Sequence, residues 1–477
     1  MISKRRNTLV IMSDEHSRKI VGAYGNEHVV TPNLDALASR GTLFESAYCN
    51  SPICVPSRAS LHTGLYPHQI RKWDNAMPYD GKPKGWGHSL QEANVPVVSI
   101  GKLHFRDSAS DTGFDEQILP LHVKDGIGDP TTLLRHDPPP RPGTKQLSAM
   151  AGKGETPYWE YDFNVASEAE RWLASRGQDN GWTLFVSFVL PHFPLNAPKK
   201  FRELYNSQTL PFPKKNNSYN AENETVGAMR ALLDFQDYFG NDGEIREAVA
   251  NYYALCSALD ENIGRVLAAL ERIGATQNTT VIYTSDHGDN IGARGYWGKS
   301  TLWEESAGVP MIIAGPDVPQ GKRNRTPVSL VDLYPTIVDL ANAKRENDRP
   351  GANLVDLAQA NSPDRPVFSE YHAVGSKTGM SMLRLGHFKL IECVNDLPLL
   401  YDLENDPEEI VNLALDPAYA KQLEHCRSTL SSIVNPKKAN KQAFKDQASL
   451  IEFLGGEDSV REIVPLAFTH PGTSNRG

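Results

Sequence analysis

Four short runs of apolar and β-branched residues break off into polar clusters. Thr8–Met12 gives way to Asp14-Glu15, and Val97–Ile100 to Gly101-Lys102-Leu103-His104. Thr183–Leu190 leads to Pro191-His192, and Thr279–Thr284 to Asp286-His287-Gly288-Asp289. Continuous apolar runs of this length, bounded by turn residues, suit strands buried on both faces of a parallel sheet. Ligands of open α/β sheets sit beyond the carboxyl ends of the strands, where these four clusters would stand. Between the runs the spacing becomes helical. Leu255, Leu259, Ile263, Val266, Leu267 and Leu270 predict one apolar stripe on a helix over 249–273, stopped by Gly274.

The expected fold is α/β, a large, mixed but mostly parallel sheet flanked by helices. After about residue 365 the texture changes. Val367–Tyr371, Ser381–Leu385, Phe388–Cys393 and Leu399–Asp402 predict short antiparallel strands, followed by helices over about 416–433 and 447–454. Residues 1–365 are thus expected to form a catalytic domain, and 366–477 a smaller α+β subdomain ending in a tail. The segment 106–160, rich in Gly, Pro, Asp and His, reads as long irregular loops over the site, and 204–222 as a second such stretch.

Composition narrows the function. A net charge of −9 argues against a nucleic-acid partner, and the short Lys4-Arg5-Arg6 cluster reads as a solvated terminus. No apolar run is long enough to span a bilayer. Five scattered cysteines, Cys49, Cys54, Cys256, Cys393 and Cys426, suit a reducing compartment better than a disulfide framework. With no secretory leader evident before Thr8, the expected location is cytoplasmic.

Cys54 is the most informative of the five. It begins Cys54-Val55-Pro56-Ser57-Arg58, and the stretch continues to Leu61-His62-Thr63-Gly64. Pro56 suits the first turn of a helix, and Gly64 can end it. Cys54 then lies at the helix N-terminus with Arg58 about a turn further on, an arrangement suited to an oxyanion. Asp14, Glu15, Asp286 and His287 supply carboxylates and an imidazole for a hard or borderline divalent cation.

The Cys54 string resembles the sulfatase signature, Cys-x-Pro-Ser-Arg followed by Thr-Gly. Resemblance to the sulfatase branch of the alkaline-phosphatase-like superfamily extends along nearly the whole chain. It rests also on Thr31-Pro32-Asn33-Leu34-Asp35, Gly101-Lys102-x-His104, Pro191-His192, Asp286-His287-Gly288-Asp289, Lys299, and Tyr401-Asp402-Leu403-Glu404-Asn405-Asp406-Pro407. Asn50-Ser51-Pro52, Asp74-Asn75-Ala76, Glu370-Tyr371-His372-Ala373 and His287 look like the choline-sulfatase and phosphonate-monoester-hydrolase group.

The resemblance implies that a maturase oxidises Cys54 to formylglycine (3-oxoalanine), whose hydrate is the nucleophile. It implies one divalent metal, Ca²⁺ in the first place with Mn²⁺ or Mg²⁺ as alternatives, held by Asp14, Glu15, Cys54, Asp286 and His287. Glu15 stands where the family more often has Asp or Gln. The implied catalytic set is Cys54, Arg58, Lys102, His104, His192 and Lys299. Arg58 would steady the nucleophile, Lys102 would hold the sulfate, and His104 would act as base in the second half-reaction. His192 and Lys299 would protonate the leaving oxygen, and Asn75 would touch substrate.

The chemistry is coherent in its own terms: sulfate-ester cleavage puts negative charge on the transferred group and the departing oxygen, so cations must be fixed around both. The expected reaction is hydrolysis of a small organic sulfate ester to an alcohol and sulfate. A phosphonate monoester or phosphodiester substrate stays open, as does a catalytically silent relative that binds oxyanions or glycans. Trp73, Tyr79, Trp86 and Trp297 could line the pocket or anchor the core. A homo-oligomer is expected, and the tail from about residue 455 could reach a neighbouring subunit.

Overall fold

The computed structural model describes residues 6–177, 179–215, 223–233, 235–464, 469 and 471. Fourteen strands are present among them. In chain order they are β1 (Asn7–Asp14), β2 (Thr42–Phe44), β3 (Ala47–Tyr48), β4 (Val97–Lys102), β5 (Glu116–Leu121), β6 (Thr183–Pro191) and β7 (Thr279–Ser285). Then follow β8 (Met311–Ala314), β9 (Lys322–Asn324), β10 (Val328–Ser329), β11 (Val367–Tyr371), β12 (Met380–Leu385), β13 (Phe388–Cys393) and β14 (Leu399–Asp402). Eight of them make the main sheet in the order β5-β4-β6-β1-β7-β8-β2-β9. It is parallel except where β8 runs against β7 and β2.

The four apolar runs that end in polar clusters are neighbours, β4-β6-β1-β7, so their carboxyl ends share one edge of the sheet. Both faces of β1 are buried. Leu9 and Ile11 enter one core cluster, while Val10 and Met12 enter another on the opposite face. That is why the run lacks the alternation of a half-exposed strand. Gly101 is required where β4 closes on β6: its φ is +100°, and a side chain there would meet the Ser187 carbonyl at 2.1 Å.

Helices used below are α1 (Cys54–Thr63), α2 (Pro142–Met150), α3 (Pro157–Arg176), α4 (Asp242–Arg272), α5 (Ala420–Ile433) and α6 (Pro436–Phe453). The expected stripe of α4 packs against the sheet, with Leu255, Leu259, Ile263, Val266 and Leu270 buried and Leu267 partly so. Asn241 caps the helix by accepting from the Gly243 and Glu244 amides. The expectation of irregular loops over 106–160 is corrected: β5, α2 and the start of α3 lie there. β5 is an edge strand with mixed burial, so its apolar pattern is weak. Of the second irregular stretch, 216–222 lies outside the described residues.

The C-terminal strands form a four-stranded antiparallel sheet, β11-β12-β13-β14. Phe368, Leu383, Leu390 and Leu400 pack there against Cys426 and Leu430 of α5 and Ala439 and Ala443 of α6. The second helix begins at Pro436, eleven residues before the expected start. Asn435 caps it by accepting from the Lys438 amide. Lys389 of β13, fully buried, pairs with Glu304 at 2.9 Å and Glu409 at 2.8 Å and ties this sheet to the larger unit. The fold is α/β, with a mostly parallel main sheet and a C-terminal antiparallel one.

Candidate active site

Cys54 is the first residue of α1, entered from extended backbone at Ile53 and closed by Gly64 in the left-handed conformation (φ +70°). A Cβ on Gly64 would lie 2.5 Å from that of Tyr334, so glycine is needed there twice over. The helix aims its N-terminus at the ends of β1 and β7. Ligand atoms of Asp14, Cys54, Asp286 and His287 all lie within 4.8 Å of one another, and all four residues are buried. His287 Nε2 is 3.2 Å from Cys54 Sγ, 3.7 Å from Asp14 Oδ1 and 3.6 Å from Asp286 Oδ1.

The cluster is oriented from behind. His287 Nδ1 donates to the Gly288 carbonyl at 3.0 Å, because a carbonyl can only accept, and this leaves the Nε2 lone pair facing the cluster. Arg58 donates through Nε to Asp286 Oδ2 at 2.7 Å and through Nη2 to Asp14 Oδ2 at 3.1 Å. Its Nη1 reaches the Lys102 carbonyl and Ser187 Oγ. The guanidinium thus takes the outer oxygen of each carboxylate and leaves the inner ones turned towards His287. Sequence reasoning aimed Arg58 at residue 54. Its hydrogen bonds go to the two carboxylates, the Lys102 carbonyl and Ser187 Oγ, because one helical turn carries it beneath residue 54.

Two carboxylate oxygens, one imidazole nitrogen and the residue-54 side chain fit a divalent cation, and the outward-facing half of each ligand is already satisfied. Glu15 stands apart from this quartet. With Asp14 and His192 it makes a second close group, and its Oε2 lies 3.2 Å from His192 Nε2 and 3.4 Å from Lys299 Nζ. Its φ of +68° turns the chain after Asp14, and burial, only partly offset by Lys299, raises its carboxyl to about 7.

Opposite the quartet stand the cations. Lys299 Nζ is 3.0 Å from Cys54 Sγ and 2.8 Å from His192 Nε2. Lys102 Nζ is 2.6 Å from Asp14 Oδ2. Burial alone would raise Asp14, but Lys102, with Arg58 and Lys299 further round, holds its carboxyl well below the usual range. Burial opposes charge on Lys299, yet the Cys54 sulfur and the Glu15 and Asp14 carboxylates raise it well above the ordinary lysine value. His192 and His104 are both held uncharged by burial, reinforced by Lys299 for the first and Lys102 for the second. Burial pushes the Cys54 thiol up to about 12, so as encoded the side chain is a protonated thiol.

A cleft of about 1030 Å³, including its solvent-filled mouth, opens over Cys54 and is lined by Lys102, His104, His192, Lys299 and Asn75. Asn75 Oδ1 accepts the Val55 amide at 3.1 Å and so steadies the start of α1. Trp297 lines the cleft, whereas Trp73, Tyr79 and Trp86 belong to the packed core. Three site residues escaped the sequence reading. Tyr158, fully buried, sets its ring edge-on to His192 and donates to the Thr469 carbonyl at 2.7 Å. Asp162 accepts the Val189 and Leu190 amides and fixes the end of β6 before His192. Thr469 places Oγ1 3.1 Å from His104 Nε2 in this chain's own cleft. None follows a strand or a recognisable motif, so no local signal marks them. The rest of the tail around Thr469, Phe468, His470 and Gly472, lies outside the described residues.

Comparison with known proteins bears on the family and the fold. A sulfatase family model matches residues 6–343, and a model described as N-sulphoglucosamine sulphohydrolase, C-terminal, matches 292–435. A choline-sulfatase of Rhizobium meliloti (strain 1021) is 32% identical over 438 residues, covering 87% of this chain and 84% of that relative. Human arylsulfatase K is 26% identical, covering 96% of this chain and 87% of its own length. In structure, a phosphonate monoester hydrolase of Agrobacterium radiobacter superposes with a TM-score of 0.73 at 24% identity, over 90% of this chain and 95% of the other. With the metal-competent quartet at the head of α1 and a family model that spans the whole main sheet, the chain belongs to the sulfatase family and is a sulfuric ester hydrolase.

Proposed function

We propose that the protein cleaves a small organic sulfate ester to an alcohol and inorganic sulfate, with residue 54 as the attacking group. The observation that carries the reading is the placement of Cys54 between the Asp14–Asp286–His287 cluster and the Lys299 ammonium. A divalent cation held by Asp14, Asp286, His287 and residue 54, Ca²⁺ first with Mn²⁺ or Mg²⁺ as alternatives, would supply Lewis acidity towards a sulfate oxygen. Conversion of Cys54 to formylglycine by a maturase would supply a hydrated aldehyde as nucleophile in place of a buried thiol.

The remaining work falls to side chains already in place. Lys102 and Lys299 are fixed cations on the cleft wall, set where sulfate oxygens gain charge in the transition state. Lys299 donates to His192 Nε2 and to the side chain of residue 54, which hold the ammonium in the cleft beside the attacking group, where it protonates the departing oxygen. His104, uncharged and in the cleft, is the base that removes a proton when sulfate is released. Arg58 keeps both carboxylates in register, and Glu15 orients His192 and Lys299 rather than joining the quartet. Asn75 fixes the start of α1 and borders the alcohol portion.

Turnover of a sulfate-ester panel, with peptide mass spectrometry of residue 54, tests this. A converted residue 54 without hydrolysis of any sulfate ester would overturn it. A second reading, hydrolysis of phosphonate monoesters or phosphodiesters in the same cleft, is favoured by the shared fold of the phosphonate monoester hydrolase. It would replace the first if kcat/KM were higher on an aryl phosphonate monoester than on the matching sulfate. A cytoplasmic location and a homo-oligomer complete the proposal, supported by five buried, unpaired cysteines and by the exposed Phe453 and Val464 near the C-terminus.

A further inference from the structure

The cleft continues beyond the sulfate-sized space at Cys54. Asn75 bonds the Val55 amide on one side, and on the other it meets Gly128, where a side chain would lie 2.3 Å from the Asn75 carbonyl. Asp129 follows Gly128, and Arg141 is bonded to Asp129. Gly128, Asp129 and Arg141 line the same cleft as Cys54. A chain of contacts therefore leads from the attacking residue to a guanidinium further along the wall.

Arg141 is anchored. Its Nη2 donates to Asp129 Oδ2 at 2.8 Å and its Nη1 to Thr131 Oγ1 at 2.9 Å. Asp129 Oδ1 in turn accepts the Thr131 amide at 3.1 Å and the Thr131 hydroxyl at 2.6 Å. The Arg141 side chain keeps 15% of its surface and Asp129 8%. Of the five N–H donors of a guanidinium, two are committed to these partners, and among the described residues no other group takes the remaining three. Both Asp129 oxygens are engaged, so the wall presents donors and a cation to the cleft. At this part of the wall a quaternary ammonium would meet Arg141 as a like charge, with both Asp129 oxygens already taken.

We propose that the alcohol part of the substrate carries a carboxylate, and that Arg141 binds it. A guanidinium that borders the cleft with uncommitted N–H donors suits the oxygens of a carboxylate. Asp129 is a positioning residue, which fixes the fork without touching substrate. The inference rests on the sulfate-ester reading, and names the class of ester that this cleft selects: sulfates of hydroxy acids or of acidic sugars.

The test uses the full-length, matured protein. kcat/KM is measured on a neutral aryl sulfate, its carboxylated analogue, a doubly sulfated analogue and choline sulfate, in wild type and Arg141→Gln. Comparing the carboxylated-to-neutral ratio between the two proteins cancels leaving-group reactivity. That ratio is expected to fall about ten- to hundred-fold in the variant, with a smaller fall in Arg141→Lys, which keeps the charge and loses the fork. A ratio that moves by less than about twofold overturns the proposal, and a larger fall on the doubly sulfated ester assigns the subsite to a second sulfate instead. Choline sulfate as the best wild-type substrate also overturns it, while leaving the hydrolase reading intact. No turnover of any sulfate by converted enzyme fells both. If Arg141→Gln does not fold, product inhibition of wild type decides: the carboxylated alcohol should inhibit about tenfold more tightly than the neutral one, and equal inhibition overturns the assignment.

Discussion

Lys299 places its ammonium 3.0 Å from the sulfur of Cys54, across 245 residues of chain. One cation thereby touches Cys54, His192 and Glu15 together. Whatever group occupies position 54 stands between this ammonium and the carboxylate–imidazole cluster.

Replacement of Cys54 by Ala should remove at least about 10³-fold of kcat, since loss of a nucleophile leaves only binding and electrostatic stabilisation. Steady-state turnover checks this, with mass spectrometry of the peptide spanning residue 54 in the wild-type protein. Wild-type turnover in Cys54→Ala would sink the nucleophile assignment.

Lys299→Ala should lower kcat by about 10²- to 10³-fold, and more on alkyl than on aryl sulfates. Poor leaving groups need the proton most. A uniform loss across leaving groups would mean that Lys299 binds sulfate without protonating the departing oxygen.

Arg58→Ala removes the cation paired with buried Asp286 and one of the two paired with Asp14, and is expected to cost about 3 to 5 kcal/mol of stability. Denaturant unfolding measures the loss. Arg58→Lys should recover only part of it, because an ammonium cannot span Asp14 and Asp286 as the fork does.

Dialysis against a chelator should lower the melting temperature of wild type, and added Ca²⁺ should restore it, since a ligand bound only by the folded state stabilises it by mass action. Asp14→Asn should show a much smaller chelator-dependent shift. An unchanged wild-type melting temperature would argue against a metal in the quartet.

Acid should weaken the junction with the C-terminal sheet through Glu370. Its Oε1 accepts from the His68 amide and ring at 2.8 Å each, and its Oε2 from His372 at 2.9 Å. Burial opposes ionisation, but His68 and His372 outweigh it and bring the carboxyl from 4.5 to about 2. A depressed carboxyl stabilises the fold above its unfolded value, and that stability is lost as pH falls from about 4.5 towards 2. His68, raised by the same carboxylate against burial, has the opposite sign and loses its share as pH rises through its folded value. Wild type should therefore lose on the order of 3 kcal/mol across the acid window, relative to Glu370→Gln. Parallel pH–stability curves for the two proteins would contradict this.

The sequence by itself determined the strands that carry the site and the residues at their ends. A strand buried on both faces must be apolar throughout, so β1, β4, β6 and β7 stand out, and Asp14, Lys102, Pro191 and Asp286 are conspicuous where each run stops. Cys54 was legible because Pro56, Arg58 and Gly64 are local demands of one helix. Edge strand β5 and helix α2 were not legible, since partial burial leaves too little apolar pattern to read. Tertiary structure alone decided that β4-β6-β1-β7 lie side by side, which brings Lys299 to Cys54 and Arg58 beneath Asp14 and Asp286. It alone turned Glu15 towards His192 and set Arg141, Tyr158 and Thr469 on the cleft. The reason is physical: pattern reports whether a residue is buried, which each strand needs for itself. Which buried or cleft residues meet depends on strand order and loop course, and these follow from packing over hundreds of residues.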